Sequence, residues 1–330
     1  VKAIRLAALP AQQSYERYPL LELAVPRAVI AFDIGGTDIK IGVVDGSGAV
    51  LSVHTVPTEL GDAEKLLDQL VACVRDAGGL HPGLKPAAIG IHVAGLVDDA
   101  RGVLLLAENL GLRDVAMKSA LERRTGLPIA FGNDARGAGF AEVRMGAARG
   151  FRNAMVVSVG TGIGAAVFVD GRAYSADGFG CELGHMRMVT LASEDSVVCN
   201  CGGVGCLETY CSARGIANAY ARATGLPARG AREVFAAAAA GDHLAHLVIE
   251  RGIDMLALAL AQVTTVLSPE AIVIAGGLSE AGDALFIPLR TRLDEYLTFH
   301  RRPLLLKARF GDQSGVIASA LRASELLASL

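Results

Sequence analysis

The sequence predicts an α/β protein made of two similar domains, an expectation that rests on three observations. The stretch FDIGGTDIKIGVVDG (32–46) aligns without gaps on VSVGTGIGAAVFVDG (157–171), apolar residue on apolar residue, and both end in Val-Asp-Gly. A repeat at so long a period is not that of a solenoid; it points to two related domains, each opening with a hairpin whose turn is rich in glycine. Short continuous apolar runs, as in strands covered on both faces, alternate with longer segments of helical periodicity. Glycine turns follow several of these runs at their carboxyl ends, where the ligands of open α/β sheets collect.

Length and composition agree with this. A chain of 330 residues can bury two cores. With a net charge of −3 it offers no basic face for nucleic acid or an anionic membrane. Residues 1–27 contain a short apolar run that charges and prolines interrupt; the run does not read as a signal peptide, and the segment is expected to form an arm. The most apolar helical run, 252–267, carries Asp254, Gln262 and two threonines, which suits a buried helix and not a membrane span. Six cysteines, three of them within 199–206, fit metal binding in a reducing, cytoplasmic compartment better than a disulfide framework.

Taken in order, Val29–Phe32 reads as a buried strand, Asp33-Ile34-Gly35-Gly36-Thr37 as a turn, and Ile39–Val44 as the returning strand, closed by Asp45-Gly46-Ser47-Gly48. Bare amides at Gly35 and Gly36, the Thr37 hydroxyl and the Lys40 ammonium suit a phosphate, although the stretch is neither G-x-x-x-x-G-K-[ST] nor G-x-G-x-x-G. Asp62–Ala77 has apolar residues at helical spacing, and Ala88–Val93 is a strand. Arg101-Gly102 and the leucines after it form a hairpin ending at Glu108-Asn109-Leu110. A helix is expected over Arg113–Thr125, closed by Gly126 and Pro128. The strand Pro128–Phe131 runs into Gly132-Asn133-Asp134 and then a helix of small residues, Ala135–Ala148. By position alone, Asp134 either caps that helix or works at a strand-end site.

Beyond residue 211 the chain is mostly helical: Ser212–Thr224, Ala231–Ala240 and His243–Leu267, the last stopped by Pro269. Ala271–Ala275 is a strand followed by Gly276-Gly277-Leu278-Ser279, a close-approach turn that suits a flat ring or ribose. A last strand, Leu304–Phe310, and a last helix, Ser314–Leu330, end the sequence. His243, His246 and His300 lack clustered partners and read as surface or cap residues.

The stretch 180–208 carries the most chemistry. Cys199, Cys201 and Cys206 with His185 make a Cys₃His set, one of zinc's usual tetrahedral shells, and glycines at 202, 203 and 205 let a short loop curl around an ion. Ordinary thiols or a disulfide are the alternative. A closed shell of four leaves zinc structural, clamping a loop so that Glu182, His185 and Glu208 face a ligand rich in hydroxyls.

These residues together resemble the ROK family, the bacterial glucokinase-like sugar kinases. The resemblance covers about 28–330. It rests on DIGGTDIKIGVVD, GLVD (95–98), ENL (108–110), GNDA (132–135), VGTGIGAAV, ELGH (182–185), CNCGGVGCLE and IAGGLS (274–279). It implies the actin-like ATPase (ribonuclease H-like) fold, two similar α/β domains around a central cleft. The N-terminal domain would span 28–134, completed by the C-terminal helix from about 312 to 330, and the C-terminal domain 135–311. It further implies ATP-dependent phosphorylation of a hexose 6-hydroxyl, with Asp134 as general base. Gly95, Asn109, Asn133, Glu182, His185 and Glu208 would hold the sugar. Asp33, Gly35, Gly36, Thr37, Lys40, Thr161, Gly162, Gly276 and Gly277 would serve ATP, with Asp33 near Mg²⁺ through water. His185, Cys199, Cys201 and Cys206 would bind Zn²⁺. A homo-oligomer, dimer or tetramer, is implied as well.

Several positions depart from the family's pattern. Arg136 stands where it often has asparagine and Ala94 where it often has proline. Gly111-Leu112-Arg113 replaces a Pro-Gly-Trp-like segment, and Cys181 stands where a small residue is common. These flank the sugar positions, so an aminosugar (N-acetylglucosamine, N-acetylmannosamine, kanosamine) or a C7 cyclitol is the alternative substrate to glucose. A transcriptional regulator is the alternative from another class. The residues before the first strand are too few for a three-helix DNA-binding module, and they are not basic. A sugar-binding pseudokinase is a third reading, opposed by the presence of Asp33 and Asp134.

Overall fold

The first strand is a run of apolar residues long enough to be buried on both faces, and each unit of the fold is assembled around such a run. The structure, a computed structural model, describes residues 27–81, 83–189, 193 and 195–330; of the expected arm, 1–27, only Arg27 lies within the described residues. The chain forms two compact units. Of the described residues, one comprises those up to Ala141 with Ser175–Phe179 and Gln313–Leu330, and the other comprises those of Glu142–Tyr174 and Gly180–Asp312.

In the first unit, β1 (Arg27–Ile34), β2 (Asp38–Val44) and β3 (Val50–Pro57) form the expected meander. The Asp45 turn is closed by its own carboxylate, which accepts from the backbone N–H groups of Ser47 and Ala49. α1 (Ala63–Leu80) is capped by Asp62, whose carboxylate accepts from the Glu64 and Lys65 N–H groups, and it buries Leu66, Leu67, Leu70 and Cys73. β4 (Lys85–Val93) follows, and then a small sheet of β5 (Leu96–Asp98), β6 (Val103–Ala107) and β7 (Leu112–Val115). α2 (Met117–Thr125), β8 (Ile129–Asn133) and α3 (Asp134–Met145) complete this part of the chain. The main sheet has the order β3-β2-β1-β4-β8, with β1, β4 and β8 parallel.

The helix expected over Arg113–Thr125 is therefore two elements. Apolar residues at 112, 115, 117, 120 and 121 imitate a helical stripe, but Leu104 pairs with Val115 and Ala107 with Leu112 in an antiparallel ladder. Asp114 takes φ 53°, and the helix starts only at Met117.

In the second unit, β9 (Ala154–Val159), β10 (Ile163–Val169) and β11 (Arg172–Tyr174) are followed by the cysteine loop and four helices. These are α4 (Glu208–Cys211), α5 (Ala213–Thr224), α6 (Ala231–Ala239) and α7 (His243–Leu267). β12 (Ala271–Ala275), α8 (Asp283–Tyr296) and β13 (Leu304–Lys307) end the unit; the last strand stops three residues short of the expected Phe310. The sheet order is β11-β10-β9-β12-β13, with β9 and β10 antiparallel and β9, β12 and β13 parallel. The two halves of the sequence repeat thus hold the same place in sheets of the same connectivity. The apolar run 252–267 lies in α7, where Ile253, Leu256, Ala257 and Leu260 are buried, and among the described residues no helix is long and apolar enough to cross a membrane. His300, expected as a surface or cap residue, is half-buried and stacked on Phe299 at 4.2 Å.

The last helix, α9 (Ser314–Ser329), belongs to the first unit. It lies on bare backbone: a Cβ at Gly90 of β4 would stand 1.8 Å from the Ser319 carbonyl oxygen, and one at Gly42 of β2 would stand 2.3 Å from Val316 Cγ1.

Candidate active site

Because β1, β4 and β8 are parallel, their carboxyl ends come out together, and the residues that follow them are gathered at one edge. Asp33, His92 and Gly132 form one row across the sheet, and Ile34, Val93 and Asn133 the next. Gly35-Gly36, Gly95 and Asp134 lie just beyond. Gly95 has φ +136°, and a Cβ there would strike the Leu106 carbonyl oxygen at 2.5 Å, so only glycine fits. The Asn133 side-chain amide donates to the Gly95 carbonyl at 2.9 Å and to Asp134 Oδ1 at 3.0 Å.

The helix cap falls to Asn133. Its Oδ1 accepts from the Arg136 N–H at 2.9 Å, the bond of a capping residue, whereas Asp134 Oδ1 accepts from the adjacent Ala135 N–H at 2.8 Å. Asp134 is thus the first residue of α3, with a carboxylate that capping does not use. The Gly35-Gly36 turn is fixed by Gly35 N–H donating to the Asp38 carbonyl at 3.0 Å and by Thr58 Oγ1 donating to the Gly35 carbonyl at 2.8 Å. A Cβ at Gly36 would lie 2.9 Å from Asn109 Nδ2, so Asn109 rests on that turn. Thr37 is exposed, and Lys40 pairs across the hairpin with Asp33.

Burial, reinforced by the charge of Asp134 and opposed by Lys40, pushes the Asp33 carboxyl up to about 6. Burial also raises Asp134, against the pull of the Ala135 N–H, the Arg136 charge and the Asn133 amide. Two half-buried carboxyls held near one another in this way are a frequent mark of functional sites.

Three residues that shape this edge escaped the sequence reading, Asp99, His92 and Ser319, and Arg136 enters it only as a departure from the family's pattern. Arg136 donates from Nε and Nη2 to the two oxygens of Asp99, at 3.2 and 3.0 Å. His92 Nδ1 meets Ser319 Oγ at 2.8 Å, and that hydroxyl gives its single proton to the Phe32 carbonyl at 2.7 Å, so His92 donates from Nδ1. Burial lowers His92 to about 3, with Arg322 adding to the effect, and the ring is neutral. It packs flat on Gly137 of α3, where a Cβ would come within 2.6 Å. No local sequence signal links these partners, which are 37 residues apart in the Arg136–Asp99 pair and 227 in the His92–Ser319 pair.

In the second unit the corresponding turn, Gly160-Thr161-Gly162, is closed by Gly160 N–H donating to the Gly162 carbonyl at 2.9 Å. Glu208 is built against it: Oε2 accepts from the Ile163 N–H at 2.8 Å, Oε1 accepts from Arg214 at 3.2 Å, and a Cβ at Gly162 would stand 2.5 Å from Oε2. Gly276, at the end of β12, has φ +79°, and a Cβ there would meet the Val159 carbonyl oxygen at 2.6 Å; Gly277 opens a short 3₁₀ turn, Gly277–Ala281.

The structure brings the Cys₃His set together. His185 ends a short 3₁₀ turn, Leu183–His185, and its ligand atom and the sulfurs of Cys199, Cys201 and Cys206 all lie within 4.8 Å of one another. Cys201 and Cys206 Sγ are 3.7 Å apart, and Cys199 Sγ lies 3.7 Å from His185 Nδ1. A disulfide needs about 2.0 Å, whereas a tetrahedron with Zn–S bonds of about 2.3 Å puts its sulfurs about 3.8 Å apart. The donor set and its spacing fit zinc, and all six cysteines are free thiols. Burial raises the Cys199 thiol and pushes Cys206 up to about 12. Glu182, next to this turn, is exposed.

With this geometry in hand, the profile of the ROK family matches residues 29–325. The chain belongs to the ROK family. It is 31% identical over 316 residues to the glucokinase of Streptomyces coelicolor, covering 90% of this chain and 97% of that one. It is also 31% identical over 301 residues to an N-acetyl-D-glucosamine kinase of Salmonella heidelberg, covering 88% and 97%. Among solved structures, a ROK family glucokinase from Streptomyces griseus in complex with glucose and AMPPNP superposes with a TM-score of 0.75 at 30% identity, covering 90% of this chain and 99% of that one. This ROK chain has the two-domain actin-like ATPase fold of its structural neighbours.

Proposed function

We propose that this ROK protein transfers the γ-phosphoryl group of ATP to the primary hydroxyl of a hexose, with glucose as the first substrate to try. One observation supports it above the others: Asp134 stands at the carboxyl end of a parallel strand with its carboxylate released from capping by Asn133. There it accepts the proton of the attacking hydroxyl. Phosphoryl transfer asks a protein for alignment and charge stabilisation more than for covalent help. Gly95, Asn109, Asn133, Glu182, His185 and Glu208 orient the sugar, His185 through Nε2 if Nδ1 serves the metal. Gly35, Gly36, Thr37, Lys40, Thr161 and Gly162 serve the phosphates, and Gly276 and Gly277 the adenosine. Mg²⁺, when bound, neutralises phosphate charge, with Asp33 near it through water. Zn²⁺ is structural, held by His185, Cys199, Cys201 and Cys206, and keeps the loop beside Glu182 in one shape. We place the protein in the cytoplasm, as a dimer or tetramer.

An aminosugar is the second reading, because the N-acetylglucosamine kinase is as similar in identity as the glucokinase. Release of ADP from ATP and Mg²⁺, measured with glucose, mannose, N-acetylglucosamine, N-acetylmannosamine, kanosamine and a C7 cyclitol, tests both. Sugar-dependent turnover with one member is the expected result; no stimulation by any of them rejects the kinase reading.

A further inference from the structure

Arg136 lies two residues beyond Asp134 and is only 5% exposed, which is unusual for a guanidinium. Besides its fork onto Asp99, Nη2 donates to the Val97 carbonyl at 2.7 Å. Asp99 Oδ1 accepts at the same time from the backbone N–H of Asn133 at 3.2 Å. Because the Arg136 N–H also reaches Asn133 Oδ1, the contacts close a ring through Asp99, Asn133 and Arg136 around the peptide that leads into Asp134.

A buried ion pair is a weak source of stability, since packed apolar residues hold a shape at less desolvation cost. Its fork does fix direction, because two parallel N–H···O bonds leave the carboxylate one orientation. We propose that Asp99 and Arg136 are positioning residues for Asp134: the pair holds the Asn133–Asp134 peptide from behind, and its two opposite charges balance the field in which the Asp134 carboxylate ionises. This rests on the reading of Asp134 as the base.

Other titratable groups lie on the neighbouring elements. Asp33 on β1 adds like charge, with Lys40 on β2 facing Asp33. His92 on β4 is neutral, and Arg322 on α9 acts on His92. Against this background, loss of the Arg136 charge leaves Asp99 uncompensated and favours the protonated acid. Loss of the Asp99 charge leaves Arg136 uncompensated and favours the carboxylate. Shifts of opposite sign show that both charges act on the Asp134 carboxyl, and the kcat-against-KM split of Arg136→Lys separates positioning from a purely structural role.

The test is a carboxyl titration by NMR on the whole chain carrying ¹³C-labelled aspartate, with the Asp134 signal identified by its loss in Asp134→Asn. Arg136→Gln should raise the midpoint by about one unit and Asp99→Asn should lower it by about one unit, while the double variant returns it close to the wild type. Shifts in the same direction, or no shift, in variants that melt cooperatively would overturn the proposal. If either single variant does not fold, the double variant and Arg136→Lys decide. Both should titrate as wild type, and Arg136→Lys should lose about tenfold in kcat at unchanged KM for ATP, because charge is kept and the fork is lost. Wild-type kcat in Arg136→Lys, or a displaced midpoint in the double variant, would refute the role. Turnover persisting in Asp134→Asn would reject the base reading by itself and leave the titration result standing.

Discussion

Replacing Asp33 by asparagine should flatten the pH dependence of folding stability. The carboxyl is raised from 3.8 to about 6 in the fold by burial and by Asp134, with Lys40 opposing. The folded chain therefore binds this proton more tightly than the unfolded chain. The stability that the proton contributes is fully present below the unfolded value of 3.8, and it is lost as pH rises through the folded value of about 6. The difference, 6 − 3.8, is about 2.2 units, which at about 1.36 kcal/mol per unit is about 3 kcal/mol. Urea unfolding from about pH 4 to about pH 7.5, with EDTA present to remove divalent cations, measures it. Because pH 4 already lies above 3.8, the wild type should lose about 2.4 kcal/mol of this more over that range than Asp33→Asn does. Above pH 7 the variant should be the more stable protein and the poorer enzyme, as expected when strain is stored at a site. Equal slopes in the two proteins would refute the assignment of a buried, proton-holding carboxyl to Asp33.

Asp134→Asn should lower kcat by about 10²–10⁴-fold and leave sugar affinity by calorimetry nearly unchanged; unaltered turnover would remove it as the base. Elemental analysis should find about one zinc per chain. Chelation should lower the melting temperature and raise the rate at which Cys199 and Cys206 react with a thiol reagent; an unchanged rate would show that no metal covers them. Gly90→Ala places a methyl 1.8 Å from the Ser319 carbonyl oxygen, so α9 must retreat by more than an ångström to reach ordinary contact. The expected cost is about 3 kcal/mol in urea unfolding, and a wild-type midpoint would show that α9 does not lie on β4.

The parts of this protein that were legible in its sequence are those whose cause is local. The hairpin turn at Asp45–Gly48 follows from the conformations its residues favour, and the strand at Val29–Phe32 from an apolar run too short for a helix. The cysteine loop could be read because three thiols within 199–206 and glycines between them already confine the loop before any tertiary contact forms. The expectation failed at 113–115, where spacing alone does not tell a helical stripe from a strand entering a short one, and pairing with β6 decided the matter.

The candidate site divides along the same line. Gly95 and Gly276 announce themselves as glycines, but the need for glycine appears only when Leu106 and Val159 bring their carbonyl oxygens to 2.5 and 2.6 Å. By itself the sequence determined the two-fold repeat, the Cys₃His cluster and a strand-end aspartate, because periodicity, residue spacing and turn chemistry act over a few residues. Only the tertiary structure decided that Asn133 and not Asp134 caps α3, that Arg136 turns its charge onto Asp99, and that α9 returns to lie on β2 and β4. Those outcomes depend on desolvation and on hydrogen bonds between groups far apart in the chain, and such terms take a value only once the sheet has brought the groups together.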